Sequence, residues 1–406
     1  QALMPQGYHV FCAIFRIAAR VYHWLTGSAV GDKPGRMTVP ISRRGMPYAH
    51  FQRGAALLEA ALTGSAERVP VYAQMHAFAA REQGIPAGDF YRRADLMVPA
   101  ELETQTSFGL EAPNLTYDVY NIEAEGLGLP LIWNENNPPE INRSRPFIGG
   151  EDDLAKIRTP DFETAGRFTM VIEAQSLFHK LTGLVPGLSF CAPFTLAANL
   201  YGIARLLLAM YQTPGLAASL IGRLVEEVTV PWIAYQKAHF PEAVVFTGAD
   251  AAASLPIVNI NILQEWVIPA LRRTAELSGT TVRVRNWVGE SLLKSPAKML
   301  ALKSQVGGGA VLGQDPDVDA LEPEFYAEFA GQRGLGLILG LGAGFLSQAS
   351  PEQVFERALR YLRAGMRTRC LALYLCNVDA DTPRENLHAA VAAVKEHGQY
   401  FENGLR

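Results

Sequence analysis

The chain is poor in cysteine, lacks any long uncharged apolar run and carries no basic stripe. Its four cysteines, Cys12, Cys191, Cys370 and Cys376, are spread over 406 residues without a Cys-x-x-Cys pair. That spacing excludes a disulfide framework and the usual structural zinc patterns, and it fits reduced thiols in a cytoplasmic protein. The most apolar early stretch, HVFCAIFRIAARVYHWLTG at 9–27, is interrupted by Arg16, Arg20 and His23. It is therefore too broken for a transmembrane span, and no basic leader or A-x-A-like cleavage site frames it. With 36 Lys and Arg against 40 Asp and Glu, the net charge is -4 and the cations are scattered. A surface of that kind offers nothing to neutralise phosphates, so nucleic acid is not an expected partner.

What is present is apolar bulk, 49% of the residues, enough for one large barrel-type domain or two smaller ones. Within 9–27, Val10, Phe11, Ile14, Phe15, Ala18, Val21, Tyr22 and Leu25 recur at helical spacing. This predicts an amphipathic helix that docks on the body, on another subunit or on a membrane surface. The Gly-, Pro-, Ser- and Arg-rich residues 28–48 read as a linker. The division expected is thus an N-terminal helical extension with its linker over 1–48, and a body over 49–406.

Through the body, short β-rich runs alternate with helical stretches. Strands are expected at 68–74, 114–120, 185–194, 243–250, 281–289, 308–316, 335–344 and 369–378. Helices are expected at 161–181, 198–211, 214–239, 258–277, 291–305, 351–365 and 383–398. Continuous apolar strands separated by helices imply parallel pairing with helices outside, and about eight such units predict a (β/α)8 TIM barrel.

In such a barrel the residues following each strand face the active site. They are His76, Asp118, Asn121, Glu123, Cys191, Asp250, Arg283, Arg285, Asn286, Trp287, Glu290, Gln314, Asp315, Cys376, Asn377 and Asp379. The acceptor-rich segment YDVYNIEAEGLGLPLIWNENNPPEI at 117–141 is either a solvated loop or the rim of a pocket. Structural roles compete with functional ones. His76 at a helix entry can bond a neighbouring carbonyl, Glu123 and Glu125 can serve the dipole of a first turn, and Trp287 can be core. Arg283 and Arg285 share one strand face and suit a salt-bridge pair as well as a ligand, while Cys191 suits a small apolar role. GLGLILGLGAG at 334–344 lacks the spacing and the acidic residue of a dinucleotide fingerprint.

Several segments in order, GAALLEAALTGSAERVPVYAQMHAF, YDVYNIEAEGLGLPLIWNENNPPEI, LVPGLSFCAPFTLAANLYGIARLLLAMYQTPGLAASLI, DAAASLPIVNINILQEWVIPALRRT and DTPRENLHAAVAAVKEHGQY, resemble the uroporphyrinogen decarboxylase superfamily from about 50 to 400. The resemblance implies a TIM barrel and one of two activities, decarboxylation of a tetrapyrrole's acetate arms or methyl exchange with a corrinoid protein. The decarboxylase branch carries an RQAGRY-type motif after its first strand. Here YAQMHAFAAREQG offers only Arg81, although Asp118 stands near that branch's pyrrole-binding aspartate. DVYNIEAEGLG followed by ENNPP is more similar to the methyltransferase branch. Thiol-methylating members hold zinc through a late His-x-Cys and a further Cys; here RVRNWVGES stands in that place and only Cys376 matches.

The resemblance therefore implies a zinc-independent methyltransferase that needs no metal. It would move a methyl group between a small methylated substrate, or tetrahydrofolate, and a corrinoid carried by a partner protein, since the chain has no Asp-x-His-x-x-Gly motif. A carboxy-lyase acting on a carboxylated, tetrapyrrole-like substrate and a non-catalytic binding barrel are the alternatives. Proton handling falls to His76, Glu123 and Asp118. Substrate contacts are expected from Asn121, Asp250, Asn259, Arg283, Arg285, Asn286, Trp287, Glu290, Gln314 and Asn377: Arg285 and Asn286 for a carboxylate or pterin edge, Asp250 and Asn259 for ring nitrogens, Trp287 for stacking. A homodimer is left open.

Overall fold

The computed structural model describes residues 46–400 apart from residue 145. The helix expected at 9–27 and most of the linker expected at 28–48 lie outside the described residues. The strands are β1 (Val71–Ala73), β2 (Leu131–Ile132), β3 (Glu140–Ile141), β4 (Leu188–Cys191), β5 (Val245–Ala249), β6 (Thr281–Arg283), β7 (Ala310–Gln314), β8 (Gly336–Leu341) and β9 (Leu371–Leu375). Seven of them form two parallel arcs, ordered β1-β9-β8-β7 and β4-β5-β6, while β2 and β3 form a small antiparallel pair. Helices follow the strands and cover the outside, giving a TIM barrel.

Side-chain alternation divides each strand between two environments. Val71, Ala73, Leu337, Leu339, Leu341, Leu371, Leu373 and Leu375 point outward into the main core with the helices. Ala310, Leu312, Ile338 and Ala372 point inward, where Tyr72, Tyr374, Leu58 and Leu62 pack on them. Leu58 and Leu62 belong to the helix Phe51–Thr63, which stoppers the N-terminal end of the barrel. The interior is therefore apolar at its closed end. Higher up it becomes half-buried and polar, with Gln74, Ser189, Thr247, Arg283 and Gln314 on the inward positions.

Two seams close the circle. At one, the strand expected at 114–120 is not a strand. The N–H of Asn114 donates to Gln105 Oε1 at 2.7 Å and that of Thr116 to Glu101 Oε2 at 2.8 Å, so side chains of the helix Ala94–Ser107 take the bonds a ladder would have made. The segment is still held between β1 and β4, through Asn114 Nδ2 to Ala73 O at 3.2 Å and Tyr117 OH to Ser189 O at 3.3 Å. At the other seam β6 ends at Arg283 rather than continuing to 289. The N–H of Val284 donates to Val306 O at 2.7 Å.

The helix expected at 214–239 contains a π-helical segment, Leu224–Thr229, and the one expected at 258–277 contains another, Leu263–Val267. Each lies just before a proline, Pro231 and Pro269, whose missing N–H interrupts regular α hydrogen bonding. The helix expected at 198–211 starts earlier, at Pro193, and breaks at Gly202 into Pro193–Tyr201 and Ile203–Gln212, bent by 104°. Among the described residues no single helix is long and apolar enough to cross a membrane.

The stopper helix is seated by Gly54, where a Cβ would lie 1.7 Å from the carbonyl oxygen of Glu111. Alanine is intrinsically the better helix former by about 1 kcal/mol. Gly54→Ala should nevertheless lower unfolding stability by about 1–3 kcal/mol through overpacking, measured by urea denaturation. A gain in stability would show that the helix does not dock this closely.

Candidate active site

The C-terminal ends of the strands gather most of the expected polar residues. The first group surrounds Asp118, the residue before the helix Val119–Gly126. Arg167, buried at the start of the helix Phe168–Thr182, meets it as a fork, with Nη1 donating to Oδ1 at 2.8 Å and Nη2 to Oδ2 at 2.6 Å. Its Nε donates to Glu125 at 2.7 Å, and Nη1 also donates to Tyr91 O at 2.8 Å. Asn121 Nδ2 donates to Asp118 Oδ2 at 3.0 Å and to Pro139 O at 2.8 Å, which ties in the β2–β3 region. Trp133, between β2 and β3, packs under the Arg92 and Arg167 guanidinium groups at 3.4 and 5.0 Å. Both oxygens of Asp118 are thus committed to a bidentate ion pair.

His76 opens the helix His76–Glu82 directly after β1. Its Nε2 lies 3.1 Å from Asn377 Oδ1, a residue held at φ 49 just after β9. Burial lowers the imidazole pKa, partly offset by Asn377 and by the field of Asp118. Burial thus favours the neutral ring.

Glu123 is fully buried on the helix Val119–Gly126, and its Oε1 accepts the N–H of Cys191 at 2.8 Å. Its other oxygen has no partner among the described residues. Burial pushes its carboxyl up to about 8, and the bond from Cys191 N offsets only part of that rise. Glu123 is therefore the protonated acid at neutral pH, while burial disfavours the imidazolium form of His76. Acid–base groups displaced in opposite directions by burial are a common mark of catalytic sites.

Asp250, after β5, is fully buried and raised to about 6 by that burial. It accepts from Thr195 Oγ1 at 2.7 Å and from Trp287 Nε1 at 3.0 Å. Asn286 accepts from Asp250 N at 3.2 Å and donates to the Tyr120 hydroxyl at 2.7 Å. Trp287 is buried and serves this network rather than a flat ligand. Gln314 ends β7 on the inner face. Cys376 also points inward: its Sγ would lie 2.4 Å from a Cβ at Gly340, so the missing side chain there makes its room. Burial raises both the Cys191 and Cys376 thiols.

Three expected residues lie elsewhere. Asn259 is exposed and caps a helix, accepting from Ile262 N at 3.0 Å. Glu290 is sealed in an ion pair with Lys303 at 2.9 Å and accepts from Tyr326 OH at 3.1 Å. Asp315 is paired with Arg357 at 3.3 Å and bonded by Tyr361. The acceptor-rich segment divides as well: Asp118, Asn121 and Glu123 are buried, whereas Glu135, Asn136 and Asn137 are exposed.

Sequence reasoning missed Arg167, Thr195, Thr247 and the inward tyrosines. An arginine at the start of an apolar helix, where the dipole disfavours a cation, was the available signal for Arg167. Among the described residues no cluster of His, Cys, Asp and Glu suits a metal ion.

The proton on Glu123 has a thermodynamic consequence. The folded pKa is above the ordinary 4.5, so the folded chain holds a proton that the unfolded chain has lost. The stabilisation that Glu123 contributes therefore falls as pH rises from 4.5 to about 8, and the Asp250 contribution is exhausted above about 6. Glu123→Gln should remove that group's share of the slope, at most about 1.4 kcal/mol per pH unit. Urea denaturation at pH 6, 7 and 8 reads the difference; parallel curves for the two proteins would contradict it.

Three comparisons bear on identity. The uroporphyrinogen decarboxylase family model matches residues 53–397. A methylated-thiol–coenzyme M methyltransferase of Methanosarcina mazei is 27% identical over 299 residues, covering 71% of this chain and 73% of the relative. A solved methyltransferase structure from Methanosarcina mazei aligns with a TM-score of 0.69 at 20% identity, covering 84% of this chain and 98% of that one. With its family match spanning nearly all the described barrel, the chain belongs to the uroporphyrinogen decarboxylase family.

Proposed function

We propose that this enzyme is a methyltransferase that moves a methyl group between a small methylated substrate and a corrinoid borne on a partner protein. The similarity to a relative named as a methyltransferase supports the reaction class. The observation that carries the chemistry is the fully buried Glu123 carboxyl, which burial raises to about 8 and which has one oxygen unpartnered among the described residues.

When a methyl group leaves an ether, thioether or amine, the heteroatom keeps the bonding pair and needs a proton. Glu123 supplies it and becomes the carboxylate; in the reverse direction it takes the proton back. Once Glu123 has protonated it, the departing heteroatom donates to the neutral His76 ring, which holds the demethylated product. Asp118, held by Arg167, fixes the helix that carries Glu123, and Asp250 with Asn286 and Tyr120 forms the adjoining polar wall. The corrinoid supplies the carrier for the methyl group. Since an eight-stranded barrel is only wide enough inside for side chains or one small ligand, a macrocycle would approach the rim while the substrate enters. A folate could take the place of the small methylated substrate only with its pterin inside and its tail outside.

The purified chain mixed with reduced cobalamin and a methylated thioether or ether should change the corrinoid absorbance. Glu123→Gln should slow the change by about 10²–10⁴-fold. The rate of demethylation should fall as pH rises through about 8, since the proton donor is lost there. Release of CO2 from a carboxylated substrate with no corrinoid change would replace this reading with the carboxy-lyase.

A further inference from the structure

Two guanidinium groups sit inside the barrel with no carboxylate paired to them among the described residues. Arg283 is inward on β6, level with Ser189 and Thr247 across the sheet, and its Nε donates to Thr247 Oγ1 at 2.9 Å. Arg285, two residues on, sends Nε to Gly307 O at 2.6 Å and Nη2 to Gly308 O at 3.2 Å. These bonds fix the stems of the two side chains. Both terminal nitrogens of Arg283 and Nη1 of Arg285 have no protein acceptor among the described residues, and both side chains are half-buried.

The other cations of the interior are treated differently. Arg167 holds Asp118 and Glu125, and Lys303 holds Glu290. No described carboxylate acts on Arg283 or Arg285; the one group that favours their charge is Tyr72. Burial pushes the Tyr72 phenol well up, so it is neutral and balances nothing. Burial, and then repulsion from Arg283, lowers Arg285 to about 10, still cationic at neutral pH. Two like charges left together in a poorly solvated interior cost stability unless an anion joins them.

We propose that Arg283 and Arg285 form a clamp for an anionic group of the substrate, a carboxylate or a sulfonate, held beside Tyr72 and Thr247. The inference rests on the methyl-transfer reading for the rest of the substrate. Leu58 and Leu62 close the barrel below, so the anion lies deep and the methylated end points toward Glu123 and His76. The guanidinium fork suits both anions bidentately.

Titration calorimetry on the full chain, with no corrinoid present, tests this with 3-(methylthio)propanoate, 2-(methylthio)ethanesulfonate and neutral 2-(methylthio)ethanol. At least one anion should bind about tenfold or more tightly than the alcohol, as loss of a charge-assisted bond requires; the two anionic arms decide between carboxylate and sulfonate. Arg283→Met and Arg285→Met should each weaken that anion about tenfold or more and leave the alcohol unchanged. Arg283→Lys and Arg285→Lys keep the charge and should retain part of the affinity, which covers a methionine variant that does not fold. Equal binding of alcohol and anions, or anion affinity that survives the folded substitutions, overturns the clamp. Tight anion binding without any corrinoid change in the separate assay would sink methyl transfer and leave the clamp standing.

Discussion

Removing ionisable groups from water is the constraint on which this barrel turns. A buried charge must find a partner, take up or release a proton, or wait for a ligand. All three outcomes occur. Asp118 with Arg167 and Glu290 with Lys303 are paired and hold elements in place. Glu123 has only a backbone N–H on one oxygen and keeps its proton. Arg283 and Arg285 remain cationic with no described anion beside them. The first outcome is architecture, and the other two are where chemistry is proposed.

The architecture prepares the site through an irregularity. Because Glu101 and Gln105 satisfy the backbone of 114–116, the second barrel position is not a ladder strand. The chain then turns at Asp118 straight into the helix Val119–Gly126, which lowers Glu123 onto the end of β4. The Arg167 fork holds that helix against the wall, and the cation–π contact at Trp133 extends the brace to the small β2–β3 pair.

Much of the fold is legible in the sequence because a parallel barrel imposes a simple pattern: short apolar strands, each followed by a helix. The segments 310–314, 336–341 and 371–375 are cases where composition alone places the strand. Position at or after a strand end also brings His76, Asp250, Asn286, Arg283 and Arg285 to the barrel's inner and upper regions. The rest depends on partners that one-dimensional pattern cannot supply. Trp287 becomes core because Asp250 accepts its N–H. Glu290 turns away because Lys303 and Tyr326 lie behind it, and Asn259 is spent on a helix cap. Arg167 escaped notice because it sits far from any strand end, and its meaning comes only from the two carboxylates it joins.

The central claim is that Glu123 is a neutral carboxylic acid in the folded protein at neutral pH. Infrared difference spectroscopy of the native chain against Glu123→Gln reads this directly through the carbonyl stretch of a protonated carboxyl. That band should be present at pH 7 and should fade with a midpoint near 8. Its absence at pH 7, with a carboxylate band in its place, would mean that the buried acid is already ionised and that the proposed proton donor does not exist.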